Sequence, residues 1–132
     1  MSDAPETPPH PVGRTVSAAQ FWELMERWNV PDPVALELIA FPGKMPRSGK
    51  RPRFRFITKQ QRLAAFLAEV DRALAAAGHQ PAWLHQKRRA APFNGRSPLQ
   101  VMVEEGLAGS ATVLRVLTRA ALERALKAPY DA

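Results

Sequence analysis

The chain contains no cysteine. This excludes disulfides, thiolate catalysis and cysteine-based metal centres. Its three histidines, His10, His79 and His85, never stand four apart, so the paired spacing of a helical zinc site is missing and no metal is expected. No stretch approaches the roughly 20 apolar residues that span a bilayer. The opening "MSDAPETPPHPVGR" is proline-rich and polar without a hydrophobic segment, so neither a signal peptide nor an anchor is expected, and residues 1–15 read as a disordered tail. Glycine-rich phosphate loops and a Ser-His-Asp signature are also lacking. The acidic pairs Glu69/Asp71, beside Arg72, and Glu104-Glu105 read as solvated helix faces. No catalytic residue and no cofactor is therefore expected, and a cytoplasmic protein is the simplest fit.

What the chain does contain is helix signal and positive charge. Its 132 residues are 45% hydrophobic, enough for one domain or two small units sharing a core. The net charge is +7, which favours an acidic partner, either nucleic acid or an anionic protein surface. Lys44, Arg47, Lys50, Arg51, Arg53, Arg55, Lys59 and Arg62 follow one another with no acidic residue among them. That run points to phosphate or acidic-protein contact. Lys87, Arg88, Arg89 and Arg96 form a second, smaller cluster.

Ser17 followed by Gln20 is a capping-box pattern, and Phe21, Leu24, Met25 and Trp28 recur behind it at helical spacing. The pattern predicts an amphipathic helix over 18–29. Asp32-Pro33 reads as a cap followed by proline in the first turn, opening a short helix with Leu36, Leu38 and Ile39 that Pro42-Gly43 ends. Prolines and glycines break residues 42–57, although Phe54 and Phe56 alternate with arginines as in an extended segment. Thr58 and Gln61 suggest another capping box, before the stripe Leu63, Phe66, Leu67, Val70 and Leu74 and a glycine cap at Gly78. A short helix from Pro81 carries Trp83 and Leu84. Asn94-Gly95 suits a tight turn with positive φ, and Ser97-Pro98 repeats the cap-then-proline start. The following helix over 98–105 carries Leu99, Met102 and Val103. Gly106 and Gly109 should bracket a reversal, with Ser110 capping a last helix that ends before Pro129. The expected class is all-α, with six or seven helices.

The ordered series Arg62, Trp83-Leu84, Phe93-Asn94-Gly95-Arg96-Ser97-Pro98-Leu99, Met102, Gly106 and Arg115 resembles the toxin-binding domain of Xre/MbcA/ParS-type antitoxins. The resemblance covers a little under half the chain. It implies residues 16–57 as a degenerate helix-turn-helix-like region with a basic loop, 58–127 as the toxin-binding domain and 128–132 as a C-terminal tail. It further implies an antitoxin of a type II toxin-antitoxin system that neutralises a cognate RES-type, NAD-consuming toxin by direct binding and represses its own operon. On that reading Asn94, Gly95, Arg96, Ser97 and Gln100 face the toxin, while Lys127 and Tyr130 of the carboxyl-terminal segment enter its cleft.

The alternative is a DNA-binding regulator without a toxin partner. Where the family has a recognition helix, this chain holds "KMPRSGKRPRFR". Lys44, Arg47, Lys50, Arg51, Arg53 and Arg55 on an irregular loop would hold phosphates, which positions a protein without reading bases, or reach into a minor groove. Two-fold DNA recognition would call for a homodimer through the exposed sides of the amino-terminal helices, where Trp22 and Trp28 are both present, while core packing accounts for at least one of these tryptophans without a dimer.

Overall fold

The computed structural model describes residues 16–42, 47–51 and 58–127. Among these there is no strand: the elements are α1 (Ala18–Arg27), α2 (Asp32–Leu38), α3 (Thr58–Ala76), a 3₁₀ helix (Pro81–His85) and α4 (Pro98–Lys127). The described residues are therefore all-α, as expected, though in four α-helices and one 3₁₀ helix rather than six or seven helices. The alternating Phe54 and Phe56 lie outside the described residues.

α1 begins as its sequence demands. The Ser17 hydroxyl accepts from the Gln20 amide at 3.1 Å, and the Gln20 side chain accepts from the Ser17 amide at 2.9 Å. Two orphan donors of the first turn are satisfied reciprocally. The helix then buries Phe21, Trp22, Leu24 and Met25. α2 starts differently from expectation. Asp32 is its first residue and makes no capping bond, because its carboxylate is taken by Arg51, as described below. Thr58 likewise is the first helical residue of α3, one position inside the expected cap.

α1, α2 and α3 end with the same device. At Asn29, Ala40 and Gly78 the backbone turns left-handed, with φ of 57°, 53° and 80°. The following amide reaches back five residues in each case: Val30 to Met25, Phe41 to Leu36, His79 to Leu74, all at 2.9–3.0 Å. These are Schellman caps, which satisfy the last carbonyls and stop the helix within one residue. Only the glycine was expected from sequence. α2 consequently stops at Leu38, before the Pro42-Gly43 pair that should have ended it. Arg124 of α4 adds a cation at the α3 terminus, donating to the Ala76 carbonyl at 3.2 Å, where the helix dipole favours positive charge.

One hydrophobic cluster joins all these elements, from Val16 and Phe21 through Leu38, Leu67 and Leu84 to Met102 and Leu117. α3 is its axis and packs along α4. Both Trp22 and Trp28 belong to this core, Trp28 with no exposure at all. Neither therefore offers the surface that a tryptophan-based dimer would use. The Trp28 indole donates to Asp71 of α3 at 2.9 Å, and Arg27 pairs with the same carboxylate at 2.6 Å. His85 donates through Nε2 to the Trp28 carbonyl at 2.7 Å. Asp71 is thus an anchor between α1 and α3 rather than part of a solvated face. Glu69 and Arg72 pair with each other one turn apart.

α4 is bent at Gly106, where φ is 61° and ψ is −132°. A straight helix would hold Val101 and Gly109 about 12 Å apart along its axis. Here the backbone of Val101 sits so close to Gly109 that a Cβ on Gly109 would lie 2.2 Å from the Val101 carbonyl oxygen. The bend folds the two arms of α4 onto each other. The expected reversal is real, but Gly106 makes it alone. Gly109 and Ser110 are already helical, so Ser110 is not a cap. It is buried, and its hydroxyl has no partner among the described residues. No helix among the described residues is long and apolar enough to cross a membrane.

Candidate functional site

The corner between the 3₁₀ helix and the bend of α4 carries most of the residues that the sequence marks. Its first feature is a closed loop. The Arg88 amide donates to the Arg96 carbonyl at 3.1 Å and the Gly95 amide to the Arg88 carbonyl at 2.6 Å, so residues 88 and 96 form a neck. Inside the loop, Phe93 and Asn94 amides turn back to the Ala90 carbonyl, and the Ala91–Pro92 peptide is cis. Asn94 and Gly95 take φ of 54° and 91°, the left-handed pair that an Asn-Gly sequence tolerates. Phe93 is the loop's apolar foot. It is buried and meets Trp83 edge-on, with ring centroids 6.1 Å apart.

The second feature is Arg96. Its Nε donates to the Phe93 carbonyl at 3.1 Å, and its Nη1 reaches Glu104 at 3.0 Å and Glu105 at 2.9 Å. Hydrogen bonds to Glu104 and then Glu105 hold its pKa above the usual arginine value. One guanidinium thereby ties the loop to the first arm of α4. The Glu104-Glu105 pair is its receptor, not an idle solvated face.

The third feature is the helix start. Ser97 accepts from the Gln100 amide at 3.1 Å and Gln100 accepts from the Ser97 amide at 3.0 Å. This is a capping box of the same S-x-x-Q form as Ser17–Gln20. The Ser97 cap is legible in the sequence, and the same S-x-x-Q spacing specifies Gln100 as its partner rather than as a free surface residue.

Three of the five turn residues expected to face a partner therefore have intramolecular work. Arg96 staples the loop, Ser97 is buried, and Gln100 closes the cap. Asn94 and Gly95 are the exposed remainder. The Asn94 side-chain amide makes only a long 3.4 Å bond, from Nδ2 to the Pro92 carbonyl, and nothing stands within 4 Å of where a Gly95 Cβ would be. The structure thus presents a stiff, exposed Asn-Gly tip on a braced loop. Lys127 is exposed at the last residue of α4. It lies about 10 Å of helix beyond Ala120, which faces the loop across a shallow concavity. Tyr130 lies outside the described residues. On the last two turns of α4, Leu122 and Leu126 are 58% and 74% exposed, an apolar pair one turn apart.

The basic run divides. Lys44, Arg53 and Arg55 lie outside the described residues, while Arg47 and Lys50 are exposed. Arg51 is engaged within the fold. It grips Asp32 through Nε and Nη2, both at 3.1 Å, donates to Glu26 at 2.6 Å, and lies 4.8 Å over the Trp22 ring. Its hydrogen bonds to Asp32, then Glu26, raise its pKa. The segment contains no counter-charge in sequence, yet α1 and α2 supply two in space. In this fold its guanidinium is already matched by two carboxylates.

Among the described residues no group of three or more His, Asp or Glu side chains could hold a metal ion. Comparison with family models, curated proteins and solved structures finds no match to this chain.

Proposed function

We propose that this chain is a protein-binding module that neutralises a partner protein: the antitoxin of a type II pair whose toxin is of the RES-type, NAD-consuming class. The observation that carries the reading is the braced Asn94-Gly95 tip. A loop closed at its neck, footed on Phe93 and stapled by Arg96 has its shape set before any partner arrives, which lowers the ordering cost of binding. The exposed Leu122 and Leu126 add an apolar surface of the kind that protein partners cover. The ordered resemblance in the turn and the two arms of α4 supplies the class of partner.

Tagged protein recovered at native level should bring down one near-stoichiometric partner, and its co-expression should relieve that partner's toxicity. Asn94→Arg, which adds bulk and charge at the exposed tip and some strain at its left-handed φ, should abolish recovery and neutralisation while the far-UV spectrum stays unchanged. Full neutralisation by Asn94→Arg would remove the tip from the interface. Recovery of the protein alone would sink the antitoxin reading.

Autoregulation through DNA is the second reading, and the exposed Arg47 and Lys50 favour it. Phosphate contacts predict binding that weakens steeply with salt. A Lys50→Gln variant should bind its own promoter more weakly, and Arg51→Gln should act mainly through the fold.

A further inference from the structure

On the other side of the same loop, facing α4, lies a concavity of about 510 Å³. That volume falls in the range of small-molecule sites. Its rim carries Lys87, Arg88 and Arg89, and its wall is apolar, built by Pro92, Val116 and Ala120. No carboxylate is among the residues that line it.

Arg88 is the telling group. Its guanidinium is half-buried and lies 4.5 Å over the Trp83 ring. The same ring is stacked by His79 at 5.3 Å. The only hydrogen-bond acceptor that its guanidinium meets among the described residues is the neutral Gln86 side chain, at 2.9 Å, and its Nε is buried with none. The contrast with Arg51 and Arg96 is sharp, since each of those is answered by two carboxylates. An arginine stays charged at any accessible pH, and a charge withdrawn from water without a counter-charge is costly. Burial lowers the Arg88 pKa, with no opposing contribution. The fold therefore keeps a half-buried cation that no carboxylate of the described residues answers.

We infer that this concavity is a binding site for a small nucleoside phosphate, with the phosphate on Arg88 and Lys87 and the body against Pro92, Val116 and Ala120. A guanidinium presents parallel donors matched to phosphate oxygens. The apolar wall asks for more than a bare anion, and the His79 ring lines the same concavity as a partner for a base. This site is separate from the Asn94 tip and stands whether or not the chain is an antitoxin.

Titration calorimetry of the full chain with AMP, inorganic phosphate and adenosine tests it. AMP should bind saturably and more tightly than either part. Arg88→Gln should weaken AMP binding about tenfold or more, the loss of one charged hydrogen-bond donor, and Lys59→Gln, on α3, should leave it unchanged. If Arg88→Gln does not fold, judged by its far-UV spectrum, Lys87→Gln on the exposed rim replaces it, with a smaller loss expected. Three outcomes overturn the inference: no saturable AMP binding at millimolar concentration, wild-type affinity in the rim variants, or inorganic phosphate binding as tightly as AMP. A single-stranded oligonucleotide that binds more tightly than AMP through Arg88 would also overturn it, in favour of a nucleic-acid surface. Saturable AMP binding lost in Arg88→Gln but kept in Asn94→Arg would establish the site regardless of what becomes of the partner protein.

Discussion

Gly109→Ala is the substitution whose outcome depends most directly on the bend in α4. In an ordinary helix interior this exchange stabilises by about 1 kcal/mol, because alanine loses less backbone freedom. Here the new methyl would stand 2.2 Å from the Val101 carbonyl oxygen, more than 1 Å short of the 3.4 Å at which ordinary contact begins. The obstacle is main chain and cannot rotate aside. The two arms must separate, and Val101 and Met102, which are buried between them and the core, lose contact. Overpacking of this kind costs about 1–3 kcal/mol, with a rigid obstacle toward the upper end. The net expectation is a loss of about 1–2 kcal/mol, or a fall in Tm of roughly 4–8 °C by circular dichroism. Trimming the side chain should not help: Val101→Ala combined with Gly109→Ala should be no more stable than Gly109→Ala alone. A Tm that is unchanged or higher in Gly109→Ala, or recovery in the double variant, would refute the close backbone approach. Gly106→Ala separates space from conformation. It meets nothing within 4 Å yet must adopt φ 61° and ψ −132°, a strain of about 1–3 kcal/mol with no packing component.

Substitutions at two further positions test the frame that holds the corner. Ala40→Gly relieves a left-handed alanine at the end of α2 and should stabilise by up to about 1 kcal/mol after allowing for the freer unfolded chain; a lower urea midpoint would contradict the cap geometry. Asp71→Ala leaves the Trp28 indole, which has no exposure, without its acceptor and should cost about 1–3 kcal/mol. Asp71→Asn keeps an acceptor and gives up only a half-exposed ion pair worth less than about 1 kcal/mol. Equal losses in the two variants would show that the Trp28 bond contributes nothing.

Helices were legible wherever the signal was local. The Ser17–Gln20 box, the α3 stripe and the glycine stop at Gly78 each lie within a few residues of the feature they specify. The left-handed stops at Asn29 and Ala40 were not read, because neither residue advertises positive φ as glycine does. Ser110 looked like a cap because hydroxyl residues favour helix starts, but packing between the arms of α4 buries it mid-helix. At the candidate site the Asn94-Gly95 turn was legible and its bracing was not. Arg96 meets Glu104 and Glu105 a full loop later, and Arg51 finds its carboxylates on helices that a linear scan of the basic run never visits. Charge counted along a chain records supply; which charges remain free is decided by the fold.

The corner from Arg88 to Ser110 has one more property. Its defining closures join residues three to eight positions apart: Arg88 with Arg96, Ser97 with Gln100, Arg96 with Glu104, Val101 with Gly109. The side-chain ties between other elements span far more chain, such as Arg27 to Asp71 across 44 residues and Trp28 to His85 across 57. Short closures are entropically cheap and quick to form. The presenting loop and the bend behind it therefore assemble as a cassette, early in folding and largely on their own account. The amino-terminal helices meet it through side chains, α2 packing on α4, and not through the backbone closures that set the loop's shape.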